Sequence, residues 1–252
     1  MRLKILAANW KMHTDFQEGI TLVRDVLARC GTLEPGKLLI FAPPFTHLKT
    51  IADLTASYQH VAVAAQNCHY EMKGAFTGEV SAVMIQSVGC RYVIIGHSER
   101  RILFNETEEL ILKKINAALN AGLSVIYCCG EPLEIREQGK HEAYVAGQLS
   151  GSVLRLSPIM LSKIIIAYEP VWAIGTGQNA TAAQAQEMHT FIRKMIGSQY
   201  GNDAASGVSI LYGGSIKAAN AHALFAQPDV DGGLVGGASL NAEEFAAIFN
   251  SF

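Results

Sequence analysis

The chain has 252 residues, 20 basic and 22 acidic side chains, a net charge of −2 and 50% apolar residues. Such a composition excludes a disordered chain, and with no basic excess or Lys/Arg run, nucleic acid is not an expected partner. The five cysteines include no Cys-x-x-Cys pair, which argues against a disulfide framework or a zinc cage and suits a reducing cytoplasm.

The first residues are interrupted by Asn9, Lys11, His13 and Asp15, too early and too polar for a signal peptide. No later apolar run nears the roughly 20 residues of a spanning helix. A soluble cytoplasmic protein without membrane contact is expected.

Eight short runs with few or no charges follow in order: Leu3–Asn9, Lys37–Ala42, Val61–Ala65, Tyr92–Gly96, Leu123–Cys128, Lys163–Tyr168, Val208–Tyr212 and Gly232–Val235. Strands buried on both faces read this way. Helical spacing lies between them. The clearest stretch runs from Asn105 to Asn120, with Asn105 as cap, Glu108 as its capping-box partner and Gly122 as the stop. Thr181 with Gln184 and Asn241 with Glu244 predict two further capping boxes. Eight βα units in 252 residues are about 31 residues each. Alternation implies a parallel sheet, and eight equal units favour a closed (β/α)8 barrel over an open doubly wound sheet. No linker or composition shift interrupts the count, so residues 1–252 read as a single α/β barrel domain.

Barrels carry function where the strands end. The first strand ends Asn9-Trp10-Lys11; Lys11 reads either as a solvated rim residue or as a fixed positive charge in a cleft. The fourth ends Gly96-His97-Ser98-Glu99-Arg100-Arg101. An imidazole facing helix N–H groups is disfavoured as a cation, so His97 is a candidate neutral donor to a carbonyl oxygen. Arg100 and Arg101 read as a solvated helix start, and the other seven histidines as surface or helix-face residues. The sixth strand ends in Glu169, either a rim ion pair or a general base whose basicity rises when water leaves. The loop after it, Val171 to Gly177, carries Trp172 and Ile174, and an apolar loop of this kind closes onto something. After the seventh and eighth strands come Gly213-Gly214-Ser215 and Gly236-Gly237. Glycines there let backbone N–H groups approach an anion, and phosphate often binds at these two loops of a barrel.

Three patterns mislead. Gly31 to Leu38 nearly spells a P-loop, but Leu38 stands for the required Ser/Thr and a strand follows. Gly175 to Ala180 fits a loose dinucleotide fingerprint, but Pro170 to Ile174 separate it from its strand. Gly96 to Arg100 resembles a nucleophile elbow with Arg100 in place of the second glycine. Cys128 and Cys129 should point to opposite strand faces, which argues against a shared metal.

The strand-end residues resemble the triosephosphate isomerase family over essentially the whole chain. The likeness rests on Asn9-Trp10-Lys11-Met12, Gly74 to Glu79, Ile95 to Arg101, Tyr168 to Gly177, Tyr212 to Ser215 and Leu234 to Ala238, in family order and spacing. It implies a TIM barrel that interconverts dihydroxyacetone phosphate and glyceraldehyde 3-phosphate without metal or organic cofactor. It implies Glu169 as base and His97 as neutral electrophile. Lys11 and Asn9 face the enediolate, and Glu99 positions Lys11 with Ser98 beside it. Cys128 packs near the base. The resemblance places Gly175, Ser215, Gly236 and Gly237 around the phosphate, and makes Pro170 to Ala180 the lid. It also implies a homodimer through the loop Gln66 to Glu79, with Thr77 near the partner's Asn9 and Lys11. Gln178, Asn179 and His13 depart from common family residues, which touches the lid hinge and the interface.

Two other function classes compete. One is a silent barrel that only binds a phosphorylated metabolite, against which Glu169 and His97 speak. The other is a Schiff-base aldolase, but Lys37 and Lys163 begin their strands at the wrong end.

Overall fold

The computed structural model describes residues 2–174 and 180–252. Its strands are β1 (Lys4–Asn9), β2 (Lys37–Ala42), β3 (Val61–Ala65), β4 (Tyr92–Ile95), β5 (Ser124–Cys129), β6 (Ile164–Tyr168), β7 (Ile210–Tyr212) and β8 (Gly232–Val235). They pair in parallel, each with its sequence neighbour, and β8 returns to β1 to close the barrel.

The apolar runs are continuous because both strand faces are covered. Along β1, Ile5 and Ala7 join the barrel interior with Leu38, Ile40, Ile94, Ile126, Ile165 and Leu234. Leu6 and Ala8 face outward into the layer shared with the helices, as do Leu39, Phe41 and Val63. Cys128 lies inside and Cys129 outside, as the pleat requires. Closure constrains one backbone position: Gly232 has φ +138°, and a Cβ there would lie 1.9 Å from the Ile5 carbonyl oxygen. Only glycine lets β8 meet β1 this closely.

Local signals shifted at two helix starts. The helix predicted from Asn105 is Glu108–Asn120 and is capped by Thr107, whose side chain accepts from Leu110 N. Asn105 instead takes a left-handed turn, φ +52°, which Asn tolerates. Asn241 caps Glu244 N, but Glu244 turns its carboxylate to Ala218 N at 2.7 Å, so the reciprocal half of the box is missing. Thr181 and Gln184 form the complete box. Lys114, on the buried face of Glu108–Asn120, reaches Glu106 and Asn67 and thereby stays paired out of water. His47 and His189 are buried, not surface residues.

Candidate active site

The strand ends converge on a cavity of about 450 Å³ lined by Asn9, Lys11, His97, Glu99, Glu169, Ser215, Gly236 and Gly237. Each group arrives through its own local geometry.

Lys11 leaves β1 with φ +56°, an uncommon conformation for a residue with a Cβ. Asn9 Oδ1 accepts from Lys11 N at 3.1 Å, and Gln66 Nε2 donates to the carbonyls of Lys11 and Ala42 at 2.8 and 2.9 Å. Three elements thus hold the turn that points Lys11 across the barrel mouth. Its Nζ meets Glu99 Oε1 at 2.6 Å. Burial alone would raise the Glu99 pKa, but the hydrogen bond and positive charge of Lys11 pull the other way, and the carboxyl stays below its ordinary value.

His97 caps the helix Ser98–Leu103. Its Nδ1 accepts from Glu99 N at 3.2 Å. A ring nitrogen that accepts a backbone N–H carries no proton, so this hydrogen bond describes a neutral ring protonated on Nε2. Nε2 lies 3.3 Å from Glu169 Oε1. The other carboxylate oxygen accepts from Ser98 N at 2.9 Å, so Ser98 contributes its backbone to the site. Glu169 is 2% exposed. Its own N–H is tied to Cys129 O at 2.7 Å, and Gly213 packs against it so closely that a Cβ there would lie 2.8 Å from Glu169 Cγ. Cys128 sits beside the carboxylate; burial first, and then the Glu169 charge, push its thiol well above the ordinary value. A thiol held protonated is a packing group here.

The opposite end of the cavity is small-residue backbone. A Cβ on Gly237 would meet nothing of the protein within 4 Å, and one on Gly236 would face Lys11 Cε at 3.5 Å. Ser215 lines the same end, and its N–H donates to Ala173 O at 3.1 Å, tying β7's loop to the segment after Glu169. Gly175, with Gln178 and Asn179, lies outside the described residues.

A match to the family model described as triosephosphate isomerase covers residues 4–252. The chain belongs to the triosephosphate isomerase family. Triosephosphate isomerases of Porphyromonas gingivalis and Bacteroides fragilis are 50% and 49% identical over 252 residues, all of each chain. That of Chloroherpeton thalassium is 47% identical over 251 residues, all of this chain and 99% of the relative. As a member of the triosephosphate isomerase family the chain is an isomerase.

Several residues that build this triosephosphate isomerase-type site went unread in the sequence. Arg101 is no solvated residue: it donates to Gly96 O at 2.6 Å and Cys128 O at 2.9 Å and pairs with Glu108, bracing β4 against β5. Arg100 likewise turns inward, to Glu106 at 2.6 Å. Glu131 is fully buried and accepts from Tyr168 OH and Trp172 Nε1, at 3.0 and 2.9 Å. Applying the strand-end rule to β3 and β5 finds Gln66 and Glu131; nothing local marks Arg101.

Proposed function

We infer that this chain interconverts dihydroxyacetone phosphate and D-glyceraldehyde 3-phosphate, with Glu169 as the base. The observation that carries the assignment is the meeting of a buried carboxylate with a neutral, Nε2-protonated imidazole, beside a lysine held at the same cavity mouth.

The carbon acid next to a carbonyl is weak, so removing its proton and stabilising the oxygen must occur together. Glu169 takes a proton from C1, and the C–H electron pair becomes the double bond of an enediolate. His97 Nε2–H donates to the oxygens that gain charge, and Lys11 with Asn9 adds a positive and a polar field. The carbonyl electron pair moves onto O2, which takes the Nε2 proton of His97 while the ring recovers the hydroxyl proton of O1; the proton held by Glu169 returns at C2, so atoms and electrons balance within one substrate. Glu99 and Ser98 position these groups, the first through Lys11 and the second through the hydrogen bond that holds Glu169. The phosphate takes Gly236, Gly237, Ser215 and Gly175. Binding energy at that remote end serves the reacting end; the expected lid, Pro170 to Ala180, lies partly outside the described residues.

The chain is read as one barrel domain, working as a cytoplasmic homodimer. Residues 71–79 are exposed, and Met72 and Phe76 present apolar surface on them. His69 stacks on Tyr70 and packs at a tilt against Phe76, each at a ring distance of 4.3 Å, which stiffens the loop for a neighbour's pocket. Free thiols at all five cysteines suit the cytoplasm, and no described helix is long and apolar enough to cross a membrane.

The test is isomerisation of glyceraldehyde 3-phosphate coupled to NADH oxidation, with Glu169→Ala alongside and the assembly sized by sedimentation. Wild-type turnover that falls by about 10²- to 10⁴-fold in the variant supports the assignment. A folded dimer without turnover leaves a phosphate-binding barrel. Turnover that survives in Glu169→Ala discards this base.

A further inference from the structure

Behind Glu169, away from the substrate cavity, the backbone of residues 129–131 forms the bed for residues 169–171. Glu169 N donates to Cys129 O at 2.7 Å and Val171 N to Glu131 O at 3.1 Å. Between them Gly130 presses so closely that a Cβ would lie 1.7 Å from Glu169 O. The position of Gly130 therefore decides where the main chain of Glu169 lies, and with it the near end of the lid.

Gly130 is gripped from outside by one side chain. Gln148, buried on the helix His141–Gly151, accepts from Gly130 N through Oε1 at 2.8 Å and donates from Nε2 to Gly130 O at 3.2 Å. One side-chain amide thus ties both peptide groups that flank the Gly130 Cα. Gln148 is held in turn: its carbonyl accepts from Tyr127 OH at 2.9 Å and Ser152 Oγ at 2.6 Å. Packing does not do the same job, because a largely apolar cavity of about 80 Å³ lies against Gln148, Gly130, Glu169 and Val171. A gap on that side removes the contacts that would otherwise resist movement.

We propose that Gln148 is a positioning residue for the isomerase reaction, holding the Glu169 carboxylate at its working place through the backbone of Gly130. The proposal rests on Glu169 being the base. It touches neither the phosphate end nor Lys11, so its loss acts on the chemical step more than on binding. A small misplacement of a catalytic group from a remote substitution can cost about 100-fold.

Gln148→Leu removes both hydrogen bonds at similar volume. On enzyme shown to be folded and dimeric, kcat is expected to fall about 10- to 100-fold, with KM and the Kd for inorganic phosphate within about threefold of wild type. Gln148→Glu provides the second arm. Its carboxylate accepts from Gly130 N but repels Gly130 O; once protonated it donates again. The ratio of its kcat to that of wild type is expected to rise as pH falls from 8 to 5.5, a response that lost stability alone does not produce. A folded Gln148→Leu within twofold of wild-type kcat overturns the proposal. If that variant does not fold, a pH-independent ratio for Gln148→Glu overturns it. Wild type and Glu169→Ala run in the same series: a silent wild type or an active Glu169→Ala would instead strike the assignment of the base itself.

Discussion

Lowering the pH should unfold this barrel partly through one histidine remote from the chemistry. His189, on the helix Ala182–Tyr200, is fully buried between the rings of Tyr168 and Tyr212. Its Nδ1 donates to Asp229 O at 3.2 Å, while Nε2 has no hydrogen-bond partner among the described residues. Burial lowers its pKa from 6.5 to about 4, and the nearby Arg193 charge works in the same direction against the pull of Asp229. Below pH 6.5 the unfolded chain takes up a proton that the folded chain refuses until about pH 4. Stability from this group is thus complete above pH 6.5 and is lost as pH falls through that window. At 1.36 kcal/mol per unit, the full loss is about 3 kcal/mol, and most of it, about 2 kcal/mol, is spent between pH 7 and 4.5. Urea unfolding at fixed protein concentration, at pH 7 and pH 4.5, would compare wild type with His189→Leu. The leucine variant loses a hydrogen bond and some packing at every pH, so its ΔG is lower throughout; the informative quantity is the change between the two pH values. Wild type is expected to lose about 2 kcal/mol more than the variant. Equal losses in both proteins would refute the reasoning and assign acid unfolding to the carboxylates.

Two further substitutions separate the parts of the site. Glu99→Gln keeps the shape but not the charge that holds Lys11; the pair is partly exposed, so stability should change by under about 1 kcal/mol, while kcat falls about tenfold. A large drop in unfolding midpoint with unchanged kcat would show Glu99 to be structural only. Gly213→Ala and Gly237→Ala should divide by parameter. The added Cβ at position 213 strikes Glu169 Cγ and lowers kcat, whereas at position 237 it enters open cavity space and raises KM. Steady-state kinetics showing the same pattern for both would contradict the placement of base and anion ends.

Strand and helix order was readable because parallel strands covered on both faces are continuous apolar runs, a property of neighbouring residues alone. The candidate site was readable for a similar reason: Lys11, His97, Glu169 and the glycine pairs each stand within two residues of a strand end, and a barrel brings all such ends to one mouth. Helix starts were less legible where two residues compete for one role, as Asn105 and Thr107 do. In the fold Asn105 takes the left-handed turn after the helix Ser98–Leu103, and Thr107 is left to cap. What the sequence could not determine lies in contacts between distant segments. Gly232 against Ile5 closes the barrel, Arg101 bridges β4 and β5, and Gln148 reaches Gly130 across 18 residues. His189 carries no local mark of burial; only the helix packed over Tyr168 and Tyr212 takes its ring out of water. Desolvation and hydrogen-bond partners are supplied by the surroundings, so the chemistry of a buried polar group belongs to the tertiary structure, while the chain itself decides where strands run and which residues stand at their ends.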